Sequence, residues 1–224
     1  MYDVIAFVPQ FNTGRKRDAT GAFQPEAKAF VSRNGGRIIM VDNRQTDEHM
    51  RKQVLKGLSV ATLRTSVVAF FCHGQSSKIQ FGFNLKNVGE LAQAINHVGH
   101  PNPIVPLYAC STAHGRVGPA VGGDGGFADA LRDALCSHGS VDCVVDAHTT
   151  AGHTTCNPYV RRFEGRGSPV GGIGGSYIVQ PGSKLWPKWR LALRETDLRF
   201  RFPLMTIGEI HATLIKFDPS SLKR

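Results

Sequence analysis

Short, unbroken apolar runs alternate along the chain with longer amphipathic stretches. "YDVIAFVP" (2–9), "RIIMVDN" (37–43), "SVVAFFCH" (66–73) and "PIVPLYAC" (103–110) are brief and almost continuously apolar, which predicts strands buried on both faces. "DCVVDAHT" (142–149) reads as a fifth strand and "GSYIVQ" (175–180) as a sixth. Between them lie helical patterns. "QPEAKAFVSRNGG" has proline near its start and glycine after its end. "TDEHMRKQVLKGL" has an acidic first turn and a basic last one, which suits the helix dipole. "NVGELAQAINHVG" sets Val88, Leu91, Ala92 and Ile95 on one face, and "GFADALRDALCSHG" is stopped by glycine.

Strands that alternate with helices require crossover connections of one hand, hence an α/β fold with a mostly parallel, six-stranded sheet covered on both faces. In such sheets ligands sit beyond the carboxyl ends of the strands. With 224 residues and 41% hydrophobic content the chain fills one substantial core. Residues 1–182 form the expected domain, and 183–224, which carry both tryptophans and an edge-strand-like "DLRFRFPL", a C-terminal extension packed on it.

The 27 Lys and Arg against 17 Asp and Glu give +10, a bias towards acidic partners. The basic residues are scattered apart from Arg15-Lys16-Arg17 and the stretch from Lys184 onward, and no aromatic-basic interleaving builds a stacking platform. Nucleic acid is therefore not expected as the main partner. No segment reaches the roughly 18 apolar residues of a membrane span, and "VIAFVP" is too short for a secretory core. Five cysteines, an odd number without dense spacing, point to a reducing, cytoplasmic compartment.

The third and fourth apolar runs stop on polar chemistry, at His73-Gly74 and at Cys110. If these strands are neighbours, both side chains leave the same sheet edge, one or two strand spacings of roughly 5 Å apart. A cysteine attacks as thiolate and an adjacent imidazole can take its proton. Gly74 lets bare backbone approach a substrate and aim an N–H at a developing oxyanion, with the N–H of Cys110 as a second donor. Each residue alone has an ordinary alternative: cysteine as a small buried hydrophobe, histidine as a loop hydrogen-bonder. Side chains alternate along a strand, so Cys72 faces away from His73 into a packed layer; Cys72, Cys136 and Cys143 are read as structural.

"VVAFFCHG" followed by "IVPLYAC" resembles the signature of the clan CD cysteine peptidases, the group of caspases, metacaspases, legumains, gingipains, separases and CHAT proteases. The likeness covers roughly residues 2–180 in element order, with about twenty residues carrying it as motif. It implies a caspase-like three-layer α/β/α sandwich, peptide-bond hydrolysis with His73 as general base and Cys110 as nucleophile, a protein or peptide substrate, and no cofactor. The caspase form Gln-Ala-Cys with glycine two residues on is not met, because the chain has Tyr108-Ala109-Cys110-Ser111-Thr112. A caspase proper is thus not implied.

In this group the residue two before the cysteine, the end of the first strand and the loop after the fifth shape the pocket for the residue before the cleaved bond. Those regions correspond to Tyr108, to Pro9-Gln10-Phe11, and to "DAHTTAGHTTCNPYVRRFEG", which includes His148. Asp146 and Asp124 could pair with a basic substrate side chain; Arg161 or Arg162 could grip an acidic one.

Three other readings stay open. His148, His153 and Cys156, with His114 or Cys110 nearby, could converge on zinc in a metallohydrolase, although no HExxH or paired CxxC supports it. An α/β cysteine hydrolase would need a helix directly after the nucleophile, whereas a Gly-rich loop containing "GGDGG" follows Cys110. A non-catalytic binding module on the same fold is the third. The basic loop at Gly14 to Arg17 or the Gly-rich loop after Gly115 is a candidate site of self-processing or of ordering by a ligand or partner.

Overall fold

The computed structural model describes residues 3–14, 17–19, 21–61, 65–114, 126–149, 151, 160–165 and 175–178, the last four in backbone alone. In chain order the elements are β1 (Asp3–Pro9), α1 (Phe23–Asn34), β2 (Arg37–Val41), α2 (Asp47–Ser59), β3 (Thr65–Phe71), β4 (Gly74–Gln75), β5 (Lys78–Ile79), α3 (Val88–His97), β6 (Gly99–Tyr108), α4 (Gly126–Ser137), β7 (Val144–His148), β8 (Val160–Glu164) and β9 (Gly175–Ile178). All six expected strands are present. Three more are present: β8, where the sequence pattern suggested a pocket loop, and the two-residue strands β4 and β5. The C-terminal extension 183–224, Asp124, His153, Cys156 and the Gly-rich loop residues 115–125 and 166–174 lie outside the described residues.

The main sheet runs β2-β1-β3-β6-β7-β8-β9. The first five strands in that order pair in parallel, and β8 runs against both of its neighbours. From β1 the chain crosses by α1 to one edge, and from β3 it crosses by α3 towards the other. The order therefore reverses between β1 and β3, the position where open α/β sheets form a crevice beyond their strand ends.

Helices cover both faces, which explains the unbroken apolar runs at the centre: every residue of β3 and all but the first of β1 are buried. The edge strand β2 departs from the expectation of burial on both faces, since only Val41 is buried and Met40 is exposed. One layer joins Phe7, Phe70 and Val105 of the sheet to Met50 and Val54 of α2, Leu91 of α3 and Leu131 of α4. The opposite layer joins Val8, Ala69 and Phe71 to Phe23, Ala27 and Phe30 of α1. On α3 the buried residues are Val88, Leu91, Ala92 and Ile95, the face given by the sequence spacing. Thr46 caps α2 by accepting from the His49 N–H.

The sequence hides β8 because two arginines occupy its centre. Both are accommodated: Arg162 forms a two-pronged pair across the sheet with Asp146 of β7, at 3.0 Å on each oxygen, and along β8 the Arg161 guanidinium lies 4.8 Å from the Phe163 ring centre.

Candidate active site

β3 and β6 are neighbours, and their register pairs Phe71 with Tyr108. His73 and Cys110 each stand two residues beyond that pair, so they leave adjacent strands at the same height on the carboxyl edge. The ladder continues one step past the strands, with the Cys72 N–H donating to the Tyr108 carbonyl at 3.3 Å. Alternation then separates Cys72 from His73. Cys72 is fully buried in the layer of α2, α3 and α4, while His73 sits edge-on to Phe23 of α1, ring centres 5.1 Å apart. Burial pushes the Cys72 thiol far above its ordinary range, only partly offset by a backbone hydrogen bond from Gln80, and the neighbouring Cys110 sulfur raises it further. Cys110 is partly exposed.

Gly74 lies hard against the segment that carries Cys110. A Cβ built there would stand 2.7 Å from Thr112 Cγ2, 2.8 Å from Ala109 Cβ and 2.8 Å from the Cys110 carbonyl oxygen. Only glycine lets the segment after His73 press against the one that carries Cys110. Gly74 also opens a small hairpin, β4 with β5, in which Gly74 pairs with Ile79. The next pair out, His73 with Gln80, exchanges backbone hydrogen bonding through the Gln80 N–H and the His73 carbonyl at 2.9 Å. Hydrogen-bonded and non-bonded pairs alternate in an antiparallel ladder, so the Gly74 N–H turns out of the hairpin.

Gln80 was not singled out by sequence. Its backbone N–H donates to the His73 carbonyl and its side-chain oxygen accepts from the His73 N–H at 3.2 Å, which clamps the residue from both sides. The only signal was an unremarkable "SSKIQ" turn after the His-Gly pair.

The segment beyond Cys110 is tightly held. Ser111 takes a left-handed φ of 54°, uncommon for a residue with a Cβ and frequent where backbone is constrained at functional sites. Thr112, fully buried, donates through its hydroxyl to the Ala109 carbonyl, and the Ala113 N–H donates to the His148 carbonyl at 2.9 Å. The first amides of α4 tie down both halves: Phe127 donates to the Ser76 carbonyl at 2.7 Å and Ala128 to the Thr112 carbonyl at 2.9 Å.

Two clefts open near this edge. One of about 300 Å³ is lined by His73, Gly74, Gln80, Lys78 and Asp47. The second, about 250 Å³, lies at the end of β1 and is walled by Pro9, Phe11 and Phe23. Phe23 is common to this cleft and to the His73 ring contact. Gln10, exposed beside it, is fixed through its backbone, donating to Val41 and accepting from Gln24 at 2.9 Å. Phe11 is held by a reciprocal amide pair with Asn43 and covered by Arg44 at 3.6 Å.

Tyr108, Asp146 and His148 are brought together, but as buried side chains behind Cys110. The recess they line measures about 10 Å³, room for a water at most. Tyr108 stacks on Phe71, and the Asp146 carboxylate is engaged by Arg162. Among the described residues no group of three or more His, Cys, Asp or Glu is placed to hold a metal ion. No helix among them is long and apolar enough to cross a membrane.

Comparison of the chain with models of known protein families finds no match, and comparison with curated proteins finds none.

Proposed function

We propose that the protein is a cysteine endopeptidase of the caspase-like type, a hydrolase that cleaves peptide bonds with Cys110 as nucleophile and His73 as general base. The observation that carries this reading is the pressing of Gly74 onto Ala109, Cys110 and Thr112, since it brings a base-bearing turn and a thiol-bearing turn into direct contact at one sheet edge. The matching register of the two strands and the partial exposure of Cys110 support it.

In this mechanism the Cys110 thiol passes its proton to His73 and the sulfur attacks the scissile carbonyl carbon. The oxyanion that forms accepts hydrogen bonds from the Gly74 N–H and the Cys110 N–H. Collapse expels the amine, which takes the proton from His73 and leaves an acyl thioester. A water then loses a proton to His73, attacks the thioester, and releases the acid and the free thiol. The cleft lined by His73 and Gly74 offers substrate chain a place beside the proposed base.

Peptide-library cleavage by wild type, Cys110→Ala and His73→Ala tests the proposal. The expected result is cleavage by wild type alone; cleavage that survives Cys110→Ala would sink the mechanism. Activity abolished by a chelator and untouched by thiol reagents would favour the zinc reading.

A further inference from the structure

Away from this site, two more cysteines meet. Cys136 lies in the last turn of α4, and Cys143 stands just before β7; their sulfurs are 3.8 Å apart. Six residues separate them and form a turn through Gly139, whose φ of 100° belongs to glycine. Cys136 is partly exposed, whereas Cys143 is fully buried.

We propose that Cys136 and Cys143 form a reversible disulfide by exchange with a low-molecular-weight disulfide of the glutathione type, with Cys136 as the attacking thiol and Cys143 as the resolving one. The sulfurs need to close from 3.8 Å to about 2.05 Å, a movement that the turn between them can absorb. Access assigns the order: Cys136 is the partly exposed thiol that an incoming disulfide can reach, and Cys143 is buried. The hydrogen bond shared with Cys143 and the Arg132 charge lower the Cys136 thiol, against the cost of burial, while Cys136 and burial raise that of Cys143. Arg132 is itself buried and fixed by Asp129 and Asp133.

The chemistry balances. The Cys136 thiolate attacks one sulfur of glutathione disulfide, forming a mixed disulfide and expelling one glutathione thiolate. Cys143 then loses its proton to that thiolate or to solvent and attacks the Cys136 sulfur, expelling the second. Two protein thiols are oxidised and one glutathione disulfide is reduced to two glutathiones.

The test is to equilibrate the folded protein in glutathione buffers from reducing to oxidising, alkylate the remaining thiols, and digest N-terminal to aspartates. Cleavage before Asp133, Asp142 and Asp146 puts Cys136 on residues 133–141 and Cys143 on residues 142–145. The two fragments should stay joined, about 2 Da lighter than their summed reduced masses, and separate on reduction. Fragments that remain separate and alkylated while the other cysteines are already oxidised would overturn the proposal. In Cys143→Ser a glutathione adduct should accumulate on Cys136, and in Cys136→Ser none on Cys143; the reverse overturns the assigned order. The wild-type map decides the bridge even if a variant fails to fold.

Discussion

Phe71 and Tyr108 are register partners on adjacent parallel strands, and their rings stack with centres 4.5 Å apart at 17°. The pair locks the height of β3 against β6 immediately before each strand delivers its polar residue. A stacked aromatic pair contributes about 0.5–1.5 kcal/mol beyond its buried area. Here its position matters more, because a slip between the strands would part His73 from Cys110.

Gly74→Ala should be damaging out of proportion to one methyl group. The new Cβ meets a backbone oxygen, a Cβ and a packed Thr methyl, none of which is the free end of a flexible chain. Overpacking of this kind costs roughly 1–3 kcal/mol, read from urea unfolding midpoints. If Gly74 aims an N–H at the oxyanion, kcat/KM should fall by about 10²-fold even where the variant is fully folded. Wild-type turnover in a folded Gly74→Ala protein would remove Gly74 from the mechanism.

Thiol labelling should discriminate sharply between Cys110 and Cys72. The first is partly exposed; the second is fully buried, with its thiol pushed up by desolvation. Brief alkylation of native protein followed by peptide mapping should modify Cys110 at least about tenfold faster than Cys72. Equal rates would mean that the layer behind His73 opens readily.

Asp146→Ala should destabilise by about 3–5 kcal/mol, because it leaves the largely buried Arg162 without its carboxylate. Replacing both, as Asp146→Leu with Arg162→Met, should recover most of that loss. The double variant also tests substrate recognition. Unchanged cleavage preference assigns Asp146 to the sheet, and a lost preference for basic residues assigns it to the substrate.

Asp42 and Arg44 predict an acid-side effect. Two hydrogen bonds from the Arg44 side chain lower the Asp42 carboxyl from 3.8 to about 2. A carboxyl lowered by folding stabilises the fold above its unfolded value and loses that contribution as pH falls through its folded value. The carboxyl carbon of Asp42 should titrate near 2 by NMR, and clearly higher in Arg44→Gln, where only the backbone N–H of residue 44 and the Gln45 side chain still lower it. The stability difference between wild type and Arg44→Gln should be present at about pH 5, vanish below about pH 2, and shrink in high salt.

The central parallel strands were legible because strands buried on both faces must be apolar throughout, and the helices because their faces repeat at 3.6 residues. The His-Gly and Ala-Cys stops were legible for the same reason: a polar residue closing an apolar run marks a strand end. What the sequence concealed depends on contacts that only the folded chain makes. Arg161 and Arg162 obscure β8 until Asp146 and Phe163 are seen beside them. Gln80 looks like any turn residue until it is found on both sides of His73. Tyr108 and His148 look like pocket residues by position, but Phe71 stacks on one, and both are buried.

The alternation that sets Cys72 and His73 on opposite faces makes the site a matter of parity. A residue inserted into β3, with the start of the strand held, would carry Cys72 into the place of the imidazole. It would also force His73 into the place of Gly74, where no Cβ fits. A residue deleted would bury the imidazole in the core layer that now holds Cys72, and put glycine at the cleft. The length of β3 is therefore constrained in steps of one even though its composition asks only for apolar residues.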